Sequence, residues 1–507
     1  MSLPDDHQRM RRGSSTKSIP CLSNSLSHVD PPLLLCLVVA TGLLSGLLAF
    51  CYDWAMEASL ELVWKTLPEL LQDLGYLTTR PWVYTLGATF TLGMCAGAAI
   101  KFFGYPGDLP DVIHCIHHLG YVPIGQTPSM VLCSLFSIAA GCSLGPEAPL
   151  VAICTSTAAW CTMKLGPPYS SPEIIRAVSV ISAAAGLSAF FGVALGGSLF
   201  ALEVLHRTGY QYFEVAPYSV AAGVLCLVVY RGLQFDSFGA IWPFEDTPPS
   251  HAEDVLVGIV LGAVGAGAAI AFNKCHKAAA KFIEQKGFGA FDDLHAAYPL
   301  LKTAVGGVLL GTIGIFLPAT MFWSEVELAS VADPSLPLPH IFPRDGFWAT
   351  GAFDSWAMSP HILLAVVLFK LIAISVTVLS GFRGGFIFPL MFTGACLGRA
   401  IFLLLPSWLS SSAPVASMSV SAGLNVGITR TPFATALLLT TLSGQSSVAV
   451  PVLAASLTAL FLTSNHVFIG SQQDREDLIL ADSLYNSTPV MSAASYQSQE
   501  NVNDNTP

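Results

Sequence analysis

Long uncharged stretches recur along this chain and limit what it can fold into. Asp, Glu, Lys and Arg are all missing from residues 31–52, 81–100, 177–202, 255–273, 303–323 and 431–473. About 20 apolar residues in a helix cross the hydrocarbon core of a bilayer. Only 11% of all residues are charged, against roughly 25% in soluble domains. The sequence therefore predicts an all-α, multi-pass integral membrane protein with no large soluble domain.

The remaining composition excludes several classes of protein. The net charge is −11, and a basic stripe of the kind that binds nucleic acid is missing. Most of the twelve cysteines lie singly in apolar runs and none forms a CxxC pair, so we expect neither a disulfide framework nor a redox or zinc-ribbon motif. We predict no cofactor, no nucleic-acid partner and no enzymatic activity.

The polar segments define the predicted organisation of the chain. Residues 1–32 and 471–507 are polar, and we expect both to be disordered, the second being too short for an appended regulatory domain such as a CBS pair. Between them we place one transport domain, residues 33–470, with halves at about 33–232 and 254–470. Basic residues ahead of the first span predict a cytoplasmic N-terminus. Residues 325–356 are the longest interior stretch without a span and are expected to form an ordered surface excursion.

An internal repeat links the two halves. The motif "GPEAP" begins at Gly145 and "GFIFP" begins at Gly385, 240 positions later, and each precedes an apolar run. The runs "AGLSAFFGVALGG" and "AGLNVGITRTPFA" begin at Ala185 and Ala422, 237 positions apart. Interrupted helices at corresponding positions of two halves predict a binding site at the membrane midplane.

Helix starts at that depth favour a small anion. A helix N-terminus presents unpaired N–H groups and a partial positive charge. Several such ends aimed at one point bind an anion without Lys or Arg. The stretches "SLGPEAPL" and "RGGFIFPLMF" both have this form, with Gly permitting close approach and Pro early in the helix.

Glu147 is the only charged residue in positions 121–163. A carboxylate at membrane depth costs ~2.5–3.5 kcal/mol on insertion scales and marks a functional position. We interpret it as a tethered surrogate anion that leaves the site when a real anion enters or when it is protonated. The alternative is a structural acid that caps a helix start. Arg399 and Arg430 also interrupt apolar stretches, and we expect both to anchor helix ends.

These motifs resemble those of the CLC family of chloride channels and chloride/proton exchangers. The motif at residues 145–149 is similar to the family's G-x-E-x-P gate motif, and residues 384–389 are similar to its G-x-F-x-P block. The stretch "ITRTPFATALLL" resembles the later half of that fold. The resemblance covers roughly residues 33–471. It implies two inverted helical repeats with broken helices meeting at a midplane anion site, and a homodimer with one pore per subunit.

The resemblance also assigns residues to the anion path. It implies a gating role for Glu147 and anion contacts from the main-chain N–H groups of Phe386 and Ile387. The implied anion-binding set as a whole is Gly107, Asp108, Gly145, Pro146, Gly385, Phe386, Ile387 and Phe468. The expected ligand is chloride or a similar small anion.

Two departures remove hydroxyl groups from that path. The family block G-S-G-x-P aligns with "PGDLP", residues 106–110, which puts Gly107 at the serine position. The pore tyrosine of the family aligns with Phe468, or with Ile469 if the register differs. Anion coordination is then expected to depend more on backbone N–H groups.

A third departure bears on mechanism. Exchangers of the family place a proton-relaying glutamate at the position that aligns with Val204, where channels commonly have an apolar residue. Glu203 matches a different, structural acid. Val204 therefore favours a passive chloride channel. A chloride/proton antiporter is the alternative, and a one-residue shift of the alignment would make Glu203 the relay.

A competing function from another class uses histidines. His114, His117 and His118 have i, i+3, i+4 spacing on one helix face, with Asp111 one turn earlier. That spacing is compatible with zinc and with a membrane metalloenzyme, although the glutamate of an H-E-x-x-H motif is missing. A short amphipathic helix is the simpler interpretation.

Overall fold

A computed structural model describes residues 30–76, 81–107, 109–205, 209–244, 249–285, 299–333, 336, 359–405, 412–466 and 468–469. The predicted disordered termini fall outside these residues, apart from the three that precede residue 33. The described residues are nearly all helical, and their only bridge of β type is an isolated one. Eight helices are long and apolar enough to cross a membrane. The predicted all-α membrane fold is therefore confirmed.

The described residues of the first half form nine α-helices. They are α1 (Pro31–Glu61), α2 (Leu67–Asp73), α3 (Pro81–Phe103), α4 (Leu109–His118), α5 (Thr127–Ala139), α6 (Glu147–Leu165), α7 (Pro172–Phe191), α8 (Ala194–Leu205) and α9 (Gly209–Gln234), and a π-turn joins α1 to α2 at Leu62–Thr66. Many begin at or next to proline, which has no N–H to leave unpaired at a helix start.

The second half repeats this order. Its helices are α10 (Ala252–Gln285), α11 (Pro299–Phe316), α12 (Glu325–Ala332), α13 (Pro360–Leu379), α14 (Ile387–Leu404), α15 (Ala413–Thr429), α16 (Pro432–Ser443) and α17 (Ala449–Leu462). The sequence landmarks fall on equivalent helices: the paired glycines precede α6 and α14, and the paired "AGL" runs lie in α7 and α15.

Helix packing shows the same repeat. In the first half α9 packs against α1 and α7, and in the second half α17 packs against the equivalent α10 and α15. Helix α6 packs on α7 as α14 packs on α15. The two halves thus bury equivalent faces. The predicted repeat is present in the fold.

Glycine lets the halves approach closely where α3 crosses α11. A Cβ atom at Gly93 would lie 2.6 Å from the Thr303 carbonyl oxygen, and one at Gly307 would lie 2.2 Å from that of Thr89. Small residues are the usual means of tight helix packing in a bilayer, where lipid is as apolar as Leu.

The expectation of a surface excursion at residues 325–356 is wrong for its first part. Leu328, Val331 and Ala332 in α12 are buried, and the helix packs against α14 and α15. The acidic residues at its start, Glu325 and Glu327, made this segment look like an exposed loop when only its composition was considered. Residues 337–356 lie outside the described residues.

Candidate anion site

The two halves meet at a pair of glycines. Gly145 and Gly385 form an isolated antiparallel bridge in which each N–H donates to the other residue's carbonyl oxygen, both at 2.6 Å. Each glycine stands just before its helix, α6 or α14. Equivalent positions of an inverted repeat thus pair with one another, which brings two helix N-termini together at the centre of the fold.

Glu147 places its carboxylate between these glycines. A Cβ atom at Gly385 would lie 2.1 Å from Glu147 Oε2, and one at Gly145 would lie 2.5 Å from the same oxygen. Real Cβ atoms essentially never approach so closely, so a side chain at either position would force the Glu147 carboxylate to move. We call this space, bounded by Gly145 and Gly385, the carboxylate cradle.

The contacts to the carboxylate come from helix N-termini. The Phe388 N–H donates to Glu147 Oε1 at 3.4 Å, which is long for a hydrogen bond. The N–H groups of Ile387 and of Glu147 itself also face the carboxylate, whereas Oε2 has no hydrogen-bond partner. The Glu147 side chain is 2% exposed. The carboxylate is thus buried, with one long hydrogen bond to Oε1 and none to Oε2.

Other residues of the predicted set surround the cradle. Pro146 is the N-cap of α6, and its carbonyl accepts from the Leu150 N–H at 3.0 Å. Phe386 is the N-cap of α14 and is buried. Phe468 packs edge-on against Phe386, with ring centroids 5.8 Å apart, and stacks on Phe272 at 5.5 Å. The loosely aligned Phe468 therefore lies beside the G-x-F-x-P block.

The "PGDLP" segment is described in part. Gly107 is buried, with a φ of +74°, and lies two residues before the start of the short helix α4. Asp108 falls outside the described residues. The neighbouring Tyr105 contacts the turn before α14 through Arg383, so the first predicted block approaches the second.

Val204 lies on the wall of a small cavity that also touches Glu147. The cavity has a volume of about 20 Å³, and its lining is apolar apart from Glu147, with Val151, Leu187 and Phe200 among the other residues. That volume admits one water molecule, but a buried water needs two to four polar partners. Between Glu147 and Val204, the described residues therefore offer no chain of proton-carrying groups.

Glu203 points elsewhere. Its Oε1 accepts from the Phe433 N–H and its Oε2 from the Ala434 N–H, both at 3.1 Å. These are the free N–H groups of the first turn of α16, where an anionic cap is favourable. The geometry is that of a structural acid joining α8 to α16.

A polar cavity of about 240 Å³ was not foreseen from the sequence. We call it the acidic vestibule; its carboxylates are Asp53, Glu57, Asp236, Glu325 and Glu327, and Arg231 also lines it. Asp53 accepts from Tyr230 and Gln234 at 2.9 and 2.8 Å, and Arg231 pairs with Asp236 at 2.9 Å. In the sequence, the feature that could have indicated this cavity is the presence of isolated charged residues inside or beside the apolar runs.

Contacts lead from this vestibule to the cradle. Phe190 lines the vestibule and packs against Phe388, with ring centroids 5.3 Å apart. The N–H of Phe388 in turn donates to Glu147. One layer of aromatic side chains connects the vestibule wall with the Glu147 carboxylate.

Lys370 fixes the turn that forms part of the vestibule wall. The ammonium group is fully buried and donates to the carbonyl oxygens of Phe322 at 2.7 Å and Met321 at 3.0 Å, and to Ser324 Oγ at 2.8 Å. Phe322 and Ser324 have φ angles of +52° and +58°, unusual for residues other than glycine. The lysine holds this strained turn through its carbonyl groups.

The histidine side chains that the structure describes, those of His114 and His117, do not form a metal centre. His117 is buried and its Nε2 lies 3.1 Å from the Leu205 carbonyl oxygen, while His114 on the same helix is exposed. No group of three potential metal ligands occurs among the residues that the structure describes. The metalloenzyme interpretation therefore has no support.

The fold and the cradle together define a class of protein. Two inverted helical repeats span the membrane, and their broken helices point N–H groups at a buried carboxylate: this is the architecture of a membrane anion transporter. A family model described as voltage gated chloride channel matches residues 92–464. The chain belongs to this family, the CLC family, as its motifs predicted.

Relatives and solved structures agree with this assignment. The chain is 25% identical to the putative ion-transport protein YfeO of Escherichia coli (strain 55989 / EAEC) over 376 residues, or 73% of this chain and 79% of the relative. YfeO of Shigella sonnei (strain Ss046) is 25% identical over 381 residues, with the same coverage.

The structural neighbours share the fold. A slow cyanobacterial Cl⁻/H⁺ antiporter aligns with a TM-score of 0.70 at 18% identity, over 87% of this chain and 97% of the other. A CLC-type fluoride/proton antiporter aligns with a TM-score of 0.63 at 16% identity and the same coverage. The predicted CLC-type fold is confirmed.

Proposed function

We propose that the protein is a passive channel for chloride or a similar small anion, gated by Glu147. The observation that carries this proposal is the carboxylate cradle. Glu147 occupies a site built from two helix N-termini, and the hydrogen bond that the Phe388 N–H donates to it is long. A carboxylate held by partial charges is displaced at low cost by a free anion or by its own protonation.

The cavity beside Val204 supports passive transport. Coupled exchange needs a proton to reach Glu147 by a relay, because an isolated proton is prohibitively costly in an apolar medium. Val204 carries no proton, the cavity lining offers no second polar side chain, and the carboxylate of Glu203 is engaged by α16.

A chloride/proton antiporter is the second candidate. It is favoured by the solved neighbours, two of which are a Cl⁻/H⁺ antiporter and a fluoride/proton antiporter. Their identity to this chain is low, so their coupling does not transfer with the fold. In an exchanger, water would have to enter the Val204 cavity.

The test is a reversal potential under opposed chloride and proton gradients, measured on purified protein in lipid bilayers. For a channel, the zero-current voltage follows the chloride Nernst potential and does not move when a pH gradient is imposed. The variants are Val204→Glu, which adds a proton site, and Val204→Gln, which adds polarity without one. Uphill proton movement driven by chloride in the wild-type protein would establish the antiporter instead.

We further propose a homodimer with one pore per subunit, as the resemblance implies. The stoichiometry of the detergent-solubilised chain, measured by multi-angle light scattering, tests this. A monomer that conducts would remove the dimer from the proposal.

A further inference from the structure

Arg383 is a buried cation in the turn between α13 and α14. Its side chain is 5% exposed. Its main-chain N–H donates to Ser137 Oγ at 3.1 Å, and Nη1 donates to the Phe382 carbonyl oxygen at 3.1 Å. The guanidinium carbon lies 4.6 Å from the centroid of the Tyr105 ring.

The charge of this guanidinium is not compensated within the described part of the chain. Nε is buried and has no hydrogen-bond partner. The ion pairs found among the described residues are Lys65 with Glu61 and Arg231 with Asp236, and neither includes Arg383. An aromatic face offsets only part of the desolvation of a cation. Among the described residues, this buried arginine therefore has no anionic partner.

Its position connects the two predicted anion blocks. Arg383 stands two residues before Gly385, so their Cα atoms are at most about 7 Å apart. Tyr105, which the guanidinium contacts, stands two residues before Gly107, where the expected hydroxyl is missing. The guanidinium therefore lies close to the cradle's own loop while facing the other block.

We propose that Arg383 is an anion-binding residue, and that its guanidinium holds a small inorganic anion of the chloride class beside Tyr105, in addition to the carboxylate cradle. For its ligand class the proposal rests on the proposed anion transport. A full positive charge binds an anion more tightly than helix ends do. Arg383 thus coordinates the anion in place of the two hydroxyl groups that the family resemblance predicts at positions 107 and 468 and that Gly107 and Phe468 lack.

The binding test uses the full-length, detergent-solubilised protein. Chloride is titrated calorimetrically against gluconate at constant ionic strength. We expect Arg383→Gln to weaken chloride binding by roughly tenfold or more, because a buried charge partner is lost. Arg383→Lys should weaken it less, since the charge remains but the planar fork does not.

The matched control is Lys101→Gln. Lys101 is an exposed cation in the last turn of α3, four residues before Tyr105. Its removal changes the local field but not the proposed site, and chloride affinity should stay within about twofold of wild type because exposed charges are screened. Equal losses in Lys101→Gln and Arg383→Gln would reduce the effect to general electrostatics and overturn the proposal.

A second pair of variants covers the case in which Arg383→Gln does not fold. Tyr105→Phe keeps the ring over the guanidinium, and Tyr105→Leu removes it. We expect wild-type chloride affinity in the first and a several-fold loss in the second, because water then reaches the cation. Equal affinity in both variants would overturn the proposal.

A structural arginine and an anion-binding one differ in a further readout. That readout is the chloride affinity of a variant whose thermal midpoint shows that it is folded. A well-folded Arg383→Gln protein with wild-type chloride affinity would show that the residue only supports the turn.

Flux assays on the same preparations separate this proposal from the proposed function. Arg383-dependent chloride binding without anion flux in liposomes would reject the transport proposal and leave the binding site standing. Normal flux together with chloride binding that does not depend on Arg383 would reject the Arg383 site and leave the transport proposal standing.

Discussion

Filling the cradle with one methyl group tests the placement of the anion. In Gly385→Ala the new Cβ would lie 2.1 Å from the position of Glu147 Oε2. If a transported anion takes the place of this oxygen, the methyl group excludes it. The substitution is best made in a Glu147→Ala background, where the cradle holds no carboxylate and the anion is the only occupant.

The expected size of the effect follows from packing. Overpacking a closely packed site costs typically ~1–3 kcal/mol, and about 1.4 kcal/mol corresponds to a tenfold change in affinity. We therefore expect Gly385→Ala to weaken chloride binding in the Glu147→Ala background by roughly tenfold to one-hundredfold. Gly145→Ala, whose Cβ would lie 2.5 Å from the same oxygen, should show a smaller loss. Gly385→Val should abolish flux.

The assay is a chloride titration of both binding and liposome flux. Gly87→Ala is the matched control, because a Cβ at Gly87 in α3 has no neighbour within 4 Å, and it should leave both measurements unchanged. Chloride affinity in Gly385→Ala/Glu147→Ala that equals that of Glu147→Ala would refute the placement of the anion in the cradle. A Gly385→Val protein that conducts normally would refute it as well.

Two further predictions concern the acids. Glu147→Gln mimics the protonated side chain, so currents should become larger or lose their dependence on pH between roughly pH 5 and 8. The control is Glu57→Gln, which changes an acid of the vestibule. Unchanged gating in Glu147→Gln would show that Glu147 is a structural cap. Glu203→Gln removes a charge-assisted cap from α16 and should lower the free energy of unfolding by about 1–2 kcal/mol. The control is Glu253→Gln, because Glu253 is an exposed acid in the first turn of α10. The thermal midpoint of Glu203→Gln should be lower than that of the control. Altered proton coupling with unchanged stability in Glu203→Gln would instead identify Glu203 as the relay.

The amino-acid sequence determined the class of fold and the central chemistry. Uncharged runs of spanning length decide that the chain is solvated by lipid, because charged residues are costly in hydrocarbon. The glycine motifs before α6 and α14 recur at one spacing, and a lone carboxylate follows the first of them. These are local properties of the chain, and they were sufficient to predict the repeat and the family and to single out Glu147 as the candidate gate.

Only the tertiary structure decided which groups meet. Gly145 pairs with Gly385 across 240 positions, Glu203 caps a helix 230 positions away, and Arg383 reaches Tyr105 in the other half. The vestibule draws its carboxylates from α1 and α12 and from the segment after α9. Such contacts depend on how two inverted halves dock. Helical periodicity indicates which face of a helix is apolar but not which partner covers it. The contact of Arg383 with Tyr105 and the acidic vestibule could therefore not be predicted from the sequence.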